Sequence, residues 1–141
     1  MILLDTNILS ELMKGSPSQR VLDWINHLPP ADLWVSAISQ AEIMLGIALL
    51  PSGKRQDALT VAADTMFADD FTGRCLPFDH TATSHYAQLV VHRTRLGLPI
   101  STEDAQIAAI ALSHGLELAT RNVKDFDGIA GLRVLNPWEI E

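Results

Sequence analysis

Residues 2–9 read Ile2-Leu3-Leu4-Asp5-Thr6-Asn7-Ile8-Leu9 and combine the end of a predicted strand with the start of a predicted helix. The apolar run, residues 2–4, is short and uninterrupted, which is typical of a strand buried on both faces, as in a parallel sheet. Apolar residues then recur at helical spacing up to Met13, and Gly15 ends the segment. A buried strand that passes directly into a helix predicts an α/β fold, with the acidic Asp5 at the junction.

The same alternation of strand and helix continues along the chain. Further strands are predicted near residues 33–35, 74–78, 116–119 and 133–135, and helices near 18–28, 36–50, 52–71, 79–96 and 101–114. No internal repeat or linker-like segment separates them. We therefore predict a single α/β domain over residues 1–141, with helices on both faces of a mostly parallel sheet of about five strands. Ligands of such sheets bind at the carboxyl ends of the strands.

Composition limits the function. The chain has 141 residues, of which 48% are hydrophobic and 19% charged, and this excludes intrinsic disorder. Ten basic and 17 acidic residues give a net charge of −7, so any nucleic-acid activity must depend on a local site, a bound cation or a small basic patch. A single cysteine, the lack of a long apolar run and the absence of a signal peptide pattern predict a cytoplasmic protein that does not enter a membrane.

Three carboxylates stand out by their position. Asp5 directly follows the first strand, and Glu42 and Asp104 each lie near the start of a predicted helix. Glu42 shares a helical stripe with Ile38, Leu45 and Leu49, and Asp104 shares one with Ile107, Ala108 and Ala111. We therefore expect both acids on otherwise apolar faces, at the sheet edge where Asp5 emerges.

Two interpretations of these acids remain open at this point. Three converging carboxylates repel one another unless a cation neutralises them, and oxygen ligands select Mg²⁺ or Mn²⁺, which suits phosphodiester hydrolysis. Each acid can also be a helix cap: Asp5 as an N-cap, and Glu42 and Asp104 as the last residues of capping boxes that start at Ser39 and Ser101. The two roles are compatible, because a capping residue can also face a cleft.

Four motifs resemble those of PIN-domain proteins, in the right order and over essentially the whole chain. They are Leu4-Asp5-Thr6-Asn7-Ile8-Leu9-Ser10-Glu11, Ser36-Ala37-Ile38-Ser39-Gln40-Ala41-Glu42-Ile43, Ile100-Ser101-Thr102-Glu103-Asp104-Ala105-Gln106-Ile107 and Ala119-Thr120-Arg121-Asn122-Val123-Lys124-Asp125-Phe126. The closing Asn136-Pro137-Trp138 is also similar to the family pattern. The resemblance is to the FitB-like branch of the VapC toxins.

This resemblance implies an α/β/α sandwich and a Mg²⁺- or Mn²⁺-dependent endoribonuclease, the toxin of a toxin–antitoxin module. It implies an RNA substrate, a cognate antitoxin, a homodimer, and contact with promoter DNA only through the antitoxin. The family's catalytic and metal-site acids fall on Asp5, Glu42 and Asp104. Many members carry a fourth acid where this chain has Asn122, and Asp125, three residues later, is a candidate replacement as metal ligand.

The departure at Asn122 keeps an alternative function open, namely a catalytically silent PIN-like module that binds RNA or an antitoxin. An aspartyl-phosphate enzyme is a further alternative, although Asn7 stands where dehalogenase-type phosphatases carry their second acid. Thr6, Arg121 and Asn122 are candidate substrate-binding residues, with an ordinary turn hydroxyl and a solvated arginine as the plainer interpretations of the first two. Arg93 and Arg95 lie in the last turn of a predicted helix, where an interaction with the helix dipole is the preferred interpretation and contact with RNA is the alternative.

Overall fold

The computed structural model describes residues 1–140, and within them five strands alternate with six regular helices. The strands are β1 Ile2–Leu4, β2 Leu33–Ser36, β3 Cys75–Leu76, β4 Glu117–Ala119 and β5 Val134–Leu135. The helices are α1 Thr6–Leu12, α2 Gln19–Asn26, α3 Ala37–Ala48, α4 Lys54–Thr65, α5 Thr83–Arg95 and α6 Thr102–Ser113. The predicted alternation is confirmed.

All five strands run parallel in one sheet with the order β3-β2-β1-β4-β5. β1 lies in the centre, where Ile2 pairs with Leu33 of β2 and Leu4 pairs with Ala119 of β4. The chain builds one side of the sheet with β2 and β3, and then crosses β1 to build the other side. The direction of winding therefore reverses between β1 and β4, and a crevice opens at the carboxyl ends of these two strands.

The core lies on both faces of the sheet. Leu3 and Leu4 are both fully buried and point to opposite faces, as successive strand residues do. Leu3 belongs to the apolar cluster that includes α5 and α6, and Leu4 belongs to the one that includes α1 to α4. α6 buries mainly short side chains such as Ala105 and Ala108, which let this helix lie close to the sheet.

One predicted helix changes its geometry before it ends, and one begins later than predicted. The helix predicted over 52–71 keeps regular geometry only as far as Thr65 and then widens into a π-helical turn, Met66–Asp70. The amide of Phe71, directly after this turn, donates to Met66 O at 3.0 Å. The side chains of Met66 and Phe71 are both buried, so the wider turn places both of them in the core. Asp79 does not cap α5, because its carboxylate accepts the Thr81 amide at 3.1 Å in a separate turn before the helix.

Arg93 on α5 is a buried structural residue, with 4% of its surface exposed. Its Nε donates to Leu98 O at 2.8 Å and its Nη1 to Asp127 O at 2.6 Å, so it ties two loops to the helix. The burial of Arg93 is therefore incompatible with the alternative that it contacts RNA. Within residues 1–140, no helix has both the length and the apolar character needed to cross a membrane.

Candidate active site

The crevice at the carboxyl ends of β1 and β4 forms a pocket of about 450 Å³. Its lining contains every site residue predicted from the sequence: Asp5, Thr6, Glu42, Asp104, Arg121, Asn122 and Asp125. The remaining lining residues are Asn7, Ser10, Glu11, Lys14 and Trp138. Segments that are far apart in the sequence therefore meet at the sheet edge where the strand pattern predicted a site.

Asp5 is both a helix cap and a residue of the pocket. Its Oδ1 accepts the Thr6 amide at 2.8 Å, which makes Asp5 the N-cap of α1. Its Oδ2 accepts the hydroxyl of Thr120 at 2.8 Å and the side-chain amide of Asn7 at 3.4 Å. Burial raises the pKa of the Asp5 carboxyl; the bonds from Thr120 and Thr6 oppose that rise, and the nearby charge of Glu42 adds to it.

Thr120 organises the region around Asp5, and it is the residue that the sequence interpretation missed. It is fully buried directly after β4. Besides donating to Asp5, its hydroxyl oxygen accepts from Asn7 Nδ2 at 3.2 Å and from the Asn122 amide at 3.1 Å. Asn7 Oδ1 in turn accepts the Arg121 amide at 3.2 Å. The loop after β4 is thereby fixed to the start of α1.

Glu42 is held by a hydrogen bond and not by a capping box. Ser36 caps α3, because its hydroxyl accepts the Ser39 amide at 3.0 Å. Glu42 Oε1 instead accepts the hydroxyl of Thr6 at 2.8 Å, while the Thr6 and Ser39 hydroxyls lie 2.8 Å apart. Thr6 has one hydroxyl hydrogen, so when it donates to Glu42 it accepts from Ser39. The carboxylate is thus oriented across the pocket by α1.

The expectation that Glu42 lies on a buried apolar face is wrong. Glu42 is exposed, and Leu45 and Leu49 of the same stripe are 60% and 76% exposed. α3 buries Ser39 and Ile43 instead. The helical period showed correctly that these residues share a face, but that face points to solvent.

The expectation that Asp104 lies on an otherwise apolar, buried helix face is confirmed. Ile107, Ala108 and Ala111 of its stripe are fully buried. Ser101 caps α6 by accepting the Asp104 amide at 3.1 Å. The pKa of Asp104 is raised to about 6, first because burial penalises its charge and then because Asp5, Asp125 and Glu42 repel it, while a hydrogen bond with the Ser101 side chain acts in the opposite direction.

Asp125 lies in the short 3-10 turn Val123–Phe126 that follows β4. It is exposed at the rim of the pocket, and its charge contributes to the raised pKa values of both Asp5 and Asp104. Asn122 also lines the pocket and adds no charge. Four carboxylates therefore act on one another in this crevice.

The pocket also contains cations. The ammonium of Lys14 pairs with Glu11 Oε1 at 2.9 Å, and this hydrogen bond is the main reason why the pKa of Glu11 is lowered. The guanidinium carbon of Arg121 lies 4.9 Å from the centre of the Trp138 ring, in a cation–π contact. Neither cation forms an ion pair with Asp5, Glu42, Asp104 or Asp125.

The donor chemistry of the pocket fits a hard divalent cation. Within residues 1–140, no three His, Cys, Asp or Glu side chains are grouped closely enough to hold a metal ion between them. The lining nevertheless offers carboxylate, hydroxyl and amide oxygens with no thiol or imidazole, which is the donor set that Mg²⁺ and Mn²⁺ prefer. The repulsion that raises the pKa of Asp104 is also the kind that a cation relieves.

Comparison with known proteins identifies relatives along nearly the full chain. The family model described as PIN domain matches residues 2–132. The plasmid stability protein StbB of Pseudomonas syringae pv. tomato is 47% identical, over 99% of this chain and 99% of its own length. A VapC ribonuclease of Sinorhizobium fredii is 41% identical over 99% of both chains. Toxin FitB of Neisseria gonorrhoeae is 41% identical over 98% of this chain and 99% of its own.

Solved structures agree with the sequence relatives. The structure of FitAB bound to an IR36 DNA fragment superposes with a TM-score of 0.90 at 39% identity, and the match covers 100% of this chain and 98% of that one. The family model covers most of the chain, and the named relatives are similar from end to end. The chain therefore belongs to the PIN-domain family, in the group that contains VapC ribonucleases and toxin FitB.

Proposed function

We propose that this chain, as a single PIN domain over residues 1–141, is a Mg²⁺- or Mn²⁺-dependent endoribonuclease that acts in the cytoplasm as the toxin of a toxin–antitoxin module. The observation that carries the proposal is the crevice in which Asp5, Glu42, Asp104 and Asp125 act on one another electrostatically, with the pKa of Asp104 raised to about 6. Strongly shifted carboxyls in a cleft at a topological switch point are typical of catalytic sites. The ribonuclease and toxin names of the relatives support the choice of reaction.

The metal would be held by Asp5 and Asp104, with Glu42 as a third ligand, directly or through water, and Asp125 as a further candidate. When bound, such an ion polarises a phosphoryl oxygen and lowers the pKa of water that is to attack phosphorus. The chain supplies the positioning. Thr120 fixes Asp5, Thr6 fixes Glu42, and both bonds leave other carboxylate lone pairs free toward the crevice.

The proposed substrate-binding residues line the same crevice. Asn122 would donate to phosphate or ribose oxygens, and Arg121 would contribute positive charge beside the acids. Thr6 would accept from a ribose hydroxyl, because its own hydroxyl hydrogen is donated to Glu42. RNA approaching four carboxylates meets repulsion, so its backbone needs compensating charge near the scissile bond.

The test is RNA cleavage by purified protein with Mg²⁺, with Mn²⁺ and with EDTA, beside Asp5→Asn prepared identically. Glu103→Gln is the matched control, because Glu103 lies in the first turn of α6 next to Asp104 but does not line the crevice. We expect cleavage that needs a divalent ion, survives Glu103→Gln and disappears in Asp5→Asn. Cleavage retained by Asp5→Asn would refute the mechanism, and RNA binding without any cleavage would favour the silent binding module.

The proposed partners are a cognate antitoxin, a second copy of this chain, and promoter DNA reached only through the antitoxin. The FitAB structure with DNA supports an assembly of this kind. Apolar side chains that are mostly exposed also support a protein partner: Met44, Leu45 and Leu49 on α3 and Val61 on α4. We expect the protein encoded beside this gene to co-purify with the chain and to suppress its cleavage of RNA.

A further inference from the structure

The closing motif Asn136-Pro137-Trp138 has a position in the crevice that the proposed catalytic acids do not explain. The Trp138 ring lines the pocket and supports the guanidinium of Arg121 at 4.9 Å. Trp138 is only partly buried, and Pro137 beside it is fully buried, so the tryptophan is anchored at the surface.

The backbones of both stacking partners are fixed by one side chain. The side-chain Nδ2 of Asn136 donates to the backbone oxygen of Arg121 at 3.3 Å, and the side-chain Oδ1 of Asn136 accepts the backbone amide of Trp138 at 2.9 Å. Trp138 O also accepts from Arg20 Nη1 at 3.0 Å, and the Arg121 amide donates to Asn7. The stack is therefore held from several directions, and Asn7 links it to Asp5, to which its side-chain amide donates at 3.4 Å.

The donors of the Arg121 guanidinium remain free. Within residues 1–140 they form no hydrogen bond or ion pair with protein, although five carboxylates line the same pocket and the charge of Arg121 helps to lower the pKa of one of them, Glu11. Lys14, the other lining cation, is engaged by Glu11. A guanidinium whose face lies on an aromatic ring keeps its edge available, and that edge matches the geometry of a phosphate.

We propose that Arg121 and Trp138 together form the phosphate clamp for RNA, with Arg121 binding a phosphodiester near the scissile bond and Trp138 as the positioning residue that holds the guanidinium away from the acids. Without the ring, the guanidinium would be free to turn toward the carboxylates that line the crevice, and an ion pair there would neutralise an acid instead of the substrate. This inference rests on the proposed function, since it concerns the same RNA at the same crevice.

The experiment measures binding of a labelled single-stranded RNA of mixed sequence, in the Asp5→Asn background so that the RNA stays intact. Arg121→Gln should weaken binding about 10- to 150-fold, the range that corresponds to the loss of a hydrogen bond to a charged group. It should also reduce the slope of log affinity against log salt by about 0.7, which corresponds to one phosphate contact on a single strand. Arg133→Gln is the matched control, because Arg133 precedes β5 at the opposite end of the sheet and is largely exposed.

The role of Trp138 is tested by variants that change its ring and by a double variant that measures its coupling to Arg121. Trp138→Leu should weaken binding about 2- to 5-fold, the range for loss of an exposed cation–π contact, and Trp138→Phe should restore most of it. Trp138→Leu added to Arg121→Gln should cause no further loss, because the two act as a unit. In the cleaving protein, both single variants should raise KM more than they lower kcat.

Unchanged affinity and salt slope in Arg121→Gln would overturn the clamp, and so would an absence of RNA binding in the parent protein. Additive losses in the double variant, or a Trp138→Phe loss equal to that of Trp138→Leu, would overturn the role of the ring. Failure of the proposed function gives a different result: RNA binding that depends on Arg121, without cleavage by the wild-type protein, leaves the clamp standing and makes the chain a silent binding module.

Discussion

Asp104→Asn is expected to make the folded protein more stable at neutral pH while it abolishes RNA cleavage. Asp104 is partly buried, close to Asp5, and carries a pKa raised from 3.8 to about 6. A raised carboxyl pKa means that the folded state disfavours the charged form, so at neutral pH this side chain destabilises the fold. Asparagine has nearly the same shape and no charge, and it removes that penalty.

The expected gain in the free energy of unfolding of Asp104→Asn can be worked out from the shift in the pKa of Asp104. A change from 3.8 to about 6 corresponds to about 3 kcal/mol if the whole shift counted. Because Asp104 is partly exposed, solvent screening reduces this to roughly 1–2 kcal/mol. The variant also loses a favourable interaction with the N-terminus of α6, about 0.3–1 kcal/mol. We therefore expect a net gain of about 1 kcal/mol in the free energy of unfolding.

The two pKa values of Asp104 also determine the direction in which the stability of the protein changes with pH. Between the unfolded pKa of 3.8 and the folded value of about 6, the folded state binds more protons than the unfolded state, so stability falls as pH rises through this window. Below about pH 4 both states are protonated and the penalty is absent. In the absence of metal, the gain from Asp104→Asn should therefore be full above about pH 6 and fall to a small fraction of that value near pH 4.

Urea unfolding in EDTA at pH 7.5 and pH 4 measures the gain, and a net 1 kcal/mol moves the midpoint by about 0.5 M. Glu103→Gln is the control, because it removes a charge from the same helical turn outside the crevice and should be neutral or slightly destabilising. If Asp104→Asn destabilises the protein at pH 7.5, or if its gain is the same at both pH values, the electrostatic reasoning is wrong.

Three further outcomes test other contacts. Thr120→Val leaves the buried Asp5 carboxylate without its 2.8 Å hydrogen bond and should lower the free energy of unfolding by about 1–3 kcal/mol in urea titrations, whereas Thr120→Ser should retain most of it. Arg93→Met leaves Leu98 O and Asp127 O without their donor and should cost roughly 3 kcal/mol, with cleavage per folded molecule unchanged. Millimolar Mg²⁺ should raise the Tm of the wild-type protein, and equal stabilisation of Asp5→Asn would place the ion elsewhere.

The residues of the site that could be predicted from sequence are those whose position depends only on their neighbours along the chain. Asp5 follows a strand by one residue, and Asp104 lies three residues after its cap, so the strand and helix patterns alone place them. Parallel strands with crossover helices bring all such junctions to one edge of the sheet. The family resemblance added which of these acids belong together.

Thr120 could not be found in this way, because its importance depends on a strand pairing across 115 residues. Leu4 pairs with Ala119, so the residues that follow them, Asp5 and Thr120, become neighbours. No local pattern states that β4 lies beside β1. A hydroxyl that directly follows a buried strand was the available signal, and it becomes informative only once the strand order is known.

The error at Glu42 has a similar origin. A helical period shows which residues share a face, but not whether another element covers that face. α3 packs through Ile43 and Ser39, and Leu45 and Leu49 are left in solvent. An apolar helical stripe in a sequence is therefore ambiguous between the core and an exposed surface, and tertiary contacts alone decide which it is.

The asparagine at position 122 changes where the fourth charge lies without removing it from the crevice. Asn122 and Asp125 are joined in the same 3-10 turn, in which the Asp125 amide donates to Asn122 O at 3.0 Å. Residues three apart in such a turn lie on the same side, so Asp125 still raises the pKa of both Asp5 and Asp104. Asn122 and Asp125 are both exposed at the rim of the crevice. If the proposed metal site is correct, Asp125 is the acid that would supply the fourth charge in place of residue 122, so an asparagine at that position is not by itself an argument for a silent site.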